Sequence, residues 1–238
     1  VQIIQKGNQH TNYSSRDGRV PIAIVDHISG GTMGSMDNWF SSPNNKVSSA
    51  HYGVSRSGEI HQYVDIQKMA WANGITAAAI PKATAAIVKE MAPTNPNKYT
   101  VSIEHEGMDG ELTEAQFQAT VWLHKHIASE INRIYGREIV LDSKRVIGHF
   151  QVDPVRKPNC PGPNFPWGRL YSALQKKEDD EVKKDVIVSV KVDGKKVADG
   201  MIENGVTYVP ARALVEAMGG TITHDSKNNV VLVTKGVK

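Results

Sequence analysis

Cys160 is the single cysteine of a 238-residue chain, and it sits in the proline-rich stretch "VIGHFQVDPVRKPNCPGPNFPW", downstream of His149. Such a loop is neither the middle of a helix nor a central strand. Three roles fit a cysteine there: a small buried hydrophobe, a nucleophile, or a metal ligand. His27 closes the apolar, β-branched run "RVPIAIVDHIS", and "GGTMG" follows as flexible turn chemistry. His27, His149 and Cys160 thus lie where strands end or where prolines lock a loop, the places where rigid scaffolds present reactive groups. Two imidazoles, one thiolate and a fourth position left for water make a catalytic zinc arrangement. Ten residues separate His149 from Cys160, which is not a compact zinc motif, so the pattern by itself leaves the three roles open.

The strand "KYTVSIEHEG" sets Val101 and Ile103 on one side and Ser102, Glu104 and Glu106 on the other, so two carboxylates share a face. By the same alternation Asp26 points away from whatever His27 faces. His124 and His126 lie two residues apart on a helix, not at the i, i+4 spacing of a helical zinc pair, and are expected at a boundary or in solvent. His10, His61 and His224 have no informative context.

The elements that must position these groups are legible. "SSAHYGVSRSGEIHQYVD" reads as a hairpin turning at Ser57-Gly58. "LTEAQFQATVWLHKHIASEINRIYG" reads as a core helix, with Thr113 and Gln116 as a capping box, Phe117, Val121, Ile127, Ile131 and Ile134 at helical spacing, and Gly136 as the stop. "KRVIGHFQV" gives a short strand ending near His149, and "PWGRLYSALQKK" a closing helix. Interleaved strands and helices predict an α/β domain over 1–175, a mixed central sheet flanked by helices. The charged run 176–185 is expected as a linker. Residues 186–238 are expected as a small β-rich α+β domain, with Asp193-Gly194 and Asn204-Gly205 turns and a final hairpin.

A single cysteine excludes an internal disulfide framework. A formal net charge of +3 with interspersed signs gives no basic stripe for nucleic acid, and no stretch is apolar enough to span a bilayer. The segment "VQIIQKGNQH" has no basic and apolar leader pattern, so the expectation is a protein made in the cytoplasm that acts after release, or one secreted with its signal already removed.

In order, "IAIVDHISGG", "SSAHYGVSRSGEIHQYV", "AWANG", "VSIEHEG" and "VIGHFQVDPVRKPNCPGPNFPW" resemble the zinc-dependent N-acetylmuramoyl-L-alanine amidases of the type-2 class, which include phage endolysins, T7-type lysozyme and the peptidoglycan recognition proteins. The resemblance covers about residues 20–174. It implies Zn2+ on His27, His149 and Cys160, Glu104 as the catalytic base, and bacterial peptidoglycan as the partner. It also implies a further cationic or hydrogen-bonding donor for the oxyanion, either His51 or Lys157. Many members carry that donor two residues before the last ligand, where this chain has Pro158, and many carry a tyrosine where this chain has Ala50. The family's "AWHAG" stands here as "AWANG", which implies Trp71 and Asn73 as glycan or peptide contacts, with a place in the core as the alternative for Trp71.

The function implied is hydrolysis of the bond between N-acetylmuramic acid and L-alanine, in a phage endolysin or alternatively a bacterial autolysin. A recognition protein of the same fold that binds without cutting is the competing reading, and such proteins typically lose the cysteine. A cysteine peptidase pairing Cys160 with His149 is a third, but those enzymes place the nucleophile at a helix N-terminus ahead of its histidine. The segment "VDGKKVADGMIENGVTYVPARALVEAMGG" resembles the domain named after the N-terminal part of copper amine oxidases. One histidine and no cysteine in 186–238 is too few for a copper site. The resemblance implies a binding or targeting module, here for the cell wall, with a passive stabilising appendage as the alternative.

Overall fold

The computed structural model describes residues 2–175, 186–203, 206–225 and 230–235. The chain divides into two compact units, Val1–Gln175 and Lys176–Lys238. The stretch 176–185 expected as a linker and the Asn204-Gly205 turn lie outside the described residues.

In chain order the first unit carries β1 (Ile3–Gln5), β2 (Ser14–Ser15), β3 (Ala23–Ile28), α1 (Met33–Phe40), β4 (Tyr52–Val54), β5 (Ile60–Gln62), β6 (Lys68–Met69), α2 (Ala86–Glu90), β7 (Thr100–His105), α3 (Glu114–Tyr135), β8 (Val146–Gly148), α4 (His149–Val152) and α5 (Trp167–Gln175), with 3-10 turns at Ala77–Lys82 and Pro96–Lys98. A six-stranded sheet runs β1-β5-β4-β7-β3-β8. β4 and β5 form the antiparallel hairpin expected around Ser57-Gly58, whereas β4, β7, β3 and β8 are mutually parallel.

Both faces of this sheet are covered, as a mostly parallel sheet requires. Ile24 of β3 and Val101 and Ile103 of β7 pack against Leu123, Ile127 and Ile131 of α3. Each of these side chains contributes roughly 1.5–3 kcal/mol by leaving water. On the other face Ala23, Val25 and Ile147 pack against Ile80, Ile87 and Val88.

α3 starts where Thr113 Oγ1 accepts the Gln116 N–H at 3.1 Å and stops at Gly136 in the left-handed region, φ 62°. The capping box is only half made. The Gln116 amide turns away and donates to Val54 O at 3.0 Å and to Glu106 O at 2.9 Å, which ties the start of α3 to the end of β4 and to the residue after β7.

The second unit has β9 (Val186–Val192), β10 (Lys195–Glu203) and β11 (Val206–Tyr208) in an antiparallel sheet, then α6 (Ala211–Ala217) and the hairpin of β12 (Thr221–Asp225) with β13 (Val230–Thr234). Asp193 and Gly194 turn β9 into β10 with φ 48° and 80°, the positive pair that an Asp-Gly two-residue turn supplies. The architecture is thus the mixed, helix-flanked sheet with a small β-rich appendage.

Candidate metal and catalytic site

Strand register builds the site. His27 on β3 pairs with Glu104 on β7, and Asp26 pairs with Gly148 on β8, so the next residue along, His149, comes up beside His27. In parallel strands, paired residues point to the same face. Glu104, His27 and His149 therefore line up at the carboxyl ends of three adjacent strands, where parallel sheets present ligands. On β4 the residue opposite Glu104 is Gly53; a Cβ there would lie 3.0 Å from Tyr63 Oη and 3.3 Å from Met33 Sδ.

Cys160 is delivered by its loop. Phe150 N donates to Cys160 O at 2.8 Å and Cys160 N to Lys157 O at 3.2 Å, which ties the loop to the helical turn that begins at His149. Gly162 has φ 120°, and a Cβ on it would meet Asp109 O at 2.1 Å, so the loop lies against the backbone after β7 in a way only glycine permits. Arg156 bonds Asp153 and donates to Gly74 O at 3.0 Å, which ties the loop to the segment that follows Trp71.

One donor atom each from His27, His149 and Cys160 falls within 4.8 Å of the others, the one such group among the described residues. The imidazole rings are 4.3 Å apart, centroid to centroid. His27 Nδ1 lies 3.8 Å from Glu104 Oε1, and the buried Glu104 Oε2 has no hydrogen-bond partner. Burial, then Lys157 and Arg156, hold His149 down at about 4, and burial with the neighbouring His149 keeps His27 well below its usual value. Both imidazoles are thus neutral and available as ligands. Burial, reinforced by Glu104, raises the Cys160 thiol to about 12, while the Ile28 N–H donates to its sulfur at 3.5 Å. A thiol so raised is no nucleophile, whereas a coordinated cation would deprotonate it. Burial lifts Glu104 to about 7, opposed by Lys157. Two nitrogens, one sulfur and an unpartnered carboxylate oxygen beside them fit a zinc ion.

A cleft of about 1150 Å3 opens over these groups, lined among others by Glu104, Lys157, Arg156, Trp71, Trp39 and Ser48. Trp71 and Lys157 both line this cleft. The Trp71 indole N–H is spent on Ser14 Oγ at 2.9 Å, which fixes the ring in the wall.

Two expectations are corrected. His51 does not line the cleft: it is 1% exposed, Nδ1 sits 3.0 Å from Ser102 Oγ, and Nε2 lies 2.8 Å from the buried Arg16. Asn73 is also 1% exposed and faces His27 rather than solvent, with Oδ1 2.7 Å from Nε2. A short motif does not fix which side of a loop is turned inward, so neither burial follows from the local sequence. Sequence reasoning missed Trp39, an exposed indole on α1 whose N–H bonds Ser48 Oγ at 2.9 Å. It also missed Thr100, whose strand phase matches Glu104.

The family model for N-acetylmuramoyl-L-alanine amidase matches residues 16–163. The chain belongs to that family. A second model, the copper amine oxidase N-terminal domain, matches residues 191–238. Among amidase relatives, 1,6-anhydro-N-acetylmuramyl-L-alanine amidase AmpD of Citrobacter freundii is 30% identical over 127 residues, 53% of this chain and 57% of the relative. The Escherichia coli AmpD is 30% identical over 129 residues, 54% and 59% of the two chains. The chain thus matches a little over half the length of these relatives. A Se-Met AmpD derivative has the same fold with a TM-score of 0.55 at 26% identity, over 73% of this chain and 95% of that one. A mutant endolysin from Bacillus subtilis shares the fold at a TM-score of 0.51 and 19% identity, over 73% and 99%.

Proposed function

We propose that the chain is a zinc-dependent peptidoglycan hydrolase cutting the amide bond between N-acetylmuramic acid and the L-alanine of the stem peptide. The observation that carries this reading is the parallel register that sets Glu104 beside His27 and within the same cleft as His149 and Cys160. A bound zinc would supply Lewis acidity for the attacking water and for the negative charge that develops on the amide oxygen. Glu104, unpartnered at Oε2 and held near neutrality, takes the proton of the attacking water and returns it to the departing alanine nitrogen. Lys157 on the cleft wall is the donor suited to the oxyanion, since His51 is committed elsewhere. Trp71 and Trp39 give the substrate an aromatic wall.

The intact Cys160 and the free carboxylate favour cutting over recognition alone. In residues 191–238 we place a wall-binding role, and the whole chain acts on the wall after release from the cell or after export, as an endolysin or autolysin. Mass spectrometry of digested peptidoglycan tests the reading: free L-alanine amino termini are expected. New reducing sugars would make the chain a glycosidase, and binding without release would make it a recognition protein. Running the 1,6-anhydro muropeptide named for the AmpD relatives alongside intact walls separates the two substrate classes.

A further inference from the structure

We propose that Asn73 is a positioning residue that fixes the tautomer of His27, so that Nδ1 is the nitrogen offered to the metal; this rests on the zinc reading above. The donors and acceptors behind His27 form a chain in which each assignment forces the next. Pro96 O can only accept, and the Thr100 hydroxyl donates to it at 2.7 Å. With its proton spent, Thr100 Oγ1 has only lone pairs for its other neighbour, the Asn73 side chain at 2.8 Å. The Asn73 end facing Thr100 is therefore Nδ2, and the end facing His27 is Oδ1, which can only accept. The His27 Nε2 lying 2.7 Å from it must carry the hydrogen. That leaves the Nδ1 lone pair, on the side of the ring facing Glu104 at 3.8 Å and the cleft.

The relay is anchored and buried. Asn73 N–H donates to Asn97 Oδ1 at 2.6 Å, and Asn73, Thr100 and Asn97 are 1%, 0% and 7% exposed. Every member is neutral, so it orients the ring at no cost in buried charge. Thr100 lies on the same face of β7 as Glu104, four residues before it, so one strand supplies both the carboxylate and the support for the ligand. Metal-binding histidines commonly donate their second nitrogen in this way, and loss of such a partner typically weakens metal affinity about 10–100-fold.

The test measures zinc affinity by competition with a chromophoric chelator for the full chain, Asn73→Ala, Asn73→Asp and Thr100→Val. Long-range proton–nitrogen NMR of the His27 ring is recorded on the metal-free proteins. Asn73→Ala should lose about 10–100-fold in affinity, Asn73→Asp should recover most of it because a carboxylate oxygen accepts the same N–H, and Thr100→Val should fall between. The metal-free wild type should show the Nε2–H tautomer, and Asn73→Ala a mixture. Unchanged affinity in Asn73→Ala, or an Asn73→Asp as weak as Asn73→Ala, overturns the proposal. So does a wild-type ring protonated on Nδ1. A wild type that takes up no zinc overturns the metal reading itself, and is told apart because the ring tautomer is read without metal.

Discussion

The two faces of β3 carry the same residue types and put them to opposite uses. On one face His27 meets Asn73, Glu104, His149 and Cys160 under an open cleft. On the other, Asp26 is fully buried with its Oδ2 3.2 Å from His124 Nε2 and its Oδ1 3.8 Å from His105 Nε2. That second cluster has two histidines and a carboxylate, yet α3 covers it and it lines no part of the cleft. Its donor set is spent inward: His105 Nδ1 holds His27 O at 2.9 Å and His124 Nδ1 holds Thr120 O at 2.8 Å. The two-residue period of a strand has sorted adjacent residues, turning Asp26 into a buried brace and His27 towards the cleft, where we propose that it holds a metal. Chemistry follows from the face, and residue type alone does not decide it.

Breaking the cleft face should have the largest effect. Cys160→Ala or His149→Ala should lose zinc together with wall-lysing activity, measured by metal analysis and turbidity, and a chelator should do the same to the wild type. Glu104→Gln comes next. It keeps the shape of the carboxylate without its basicity, so zinc content and peptidoglycan binding should stay while turnover falls by about two to four orders of magnitude. Loss of zinc in Glu104→Gln would make the carboxylate a ligand.

Breaking the buried face should cost stability and leave the site. His124→Leu strands Asp26 without its closest partner and should destabilise the fold by roughly 3–5 kcal/mol in denaturant titration, with zinc stoichiometry kept. The pH dependence follows from His124: burial opposes its charge, but the Asp26 carboxylate outweighs it and holds the imidazole above its ordinary value. A raised folded-state value means that stability is fully present below the unfolded value of about 6.5 and is lost as pH rises through the folded one. The gap between wild type and His124→Leu should therefore narrow on going from pH 6 to pH 9. A gap that widens would show that the pair is not ionised. The smallest effect belongs to Glu106→Gln. Glu106 shares the strand phase of Glu104, but β7 ends at His105, and Glu106 Oε2 accepts the Arg56 N–H at 2.8 Å outside the cleft, so turnover should stay within about threefold.

How much of this the sequence could show depends on range. The positions of His27, Glu104, His149 and Cys160 are legible because strand ends and a proline-locked loop are local features, and the family resemblance supplies the purpose proposed for them. The partner that each residue finds is not. Asn73 meets Thr100 and His27 only once β7 and β3 pair, and His51 meets Arg16 only once the turn at Ile66 and the turn at Asn97 close around that guanidinium. His124, expected at a boundary or in solvent, is fully buried. It stands three residues after Val121 and three before Ile127, inside the apolar stripe of α3, so helical spacing alone places it in the core.

The central claim is that His27, His149 and Cys160 hold one metal together on the cleft face of β3. X-ray absorption at the zinc edge of the loaded full chain tests it most directly. The account predicts a shell of one sulfur at about 2.3 Å and two imidazole nitrogens at about 2.0–2.1 Å, with the sulfur shell absent from Cys160→Ser. A zinc spectrum without sulfur in the wild type, or one unchanged in Cys160→Ser, would contradict it.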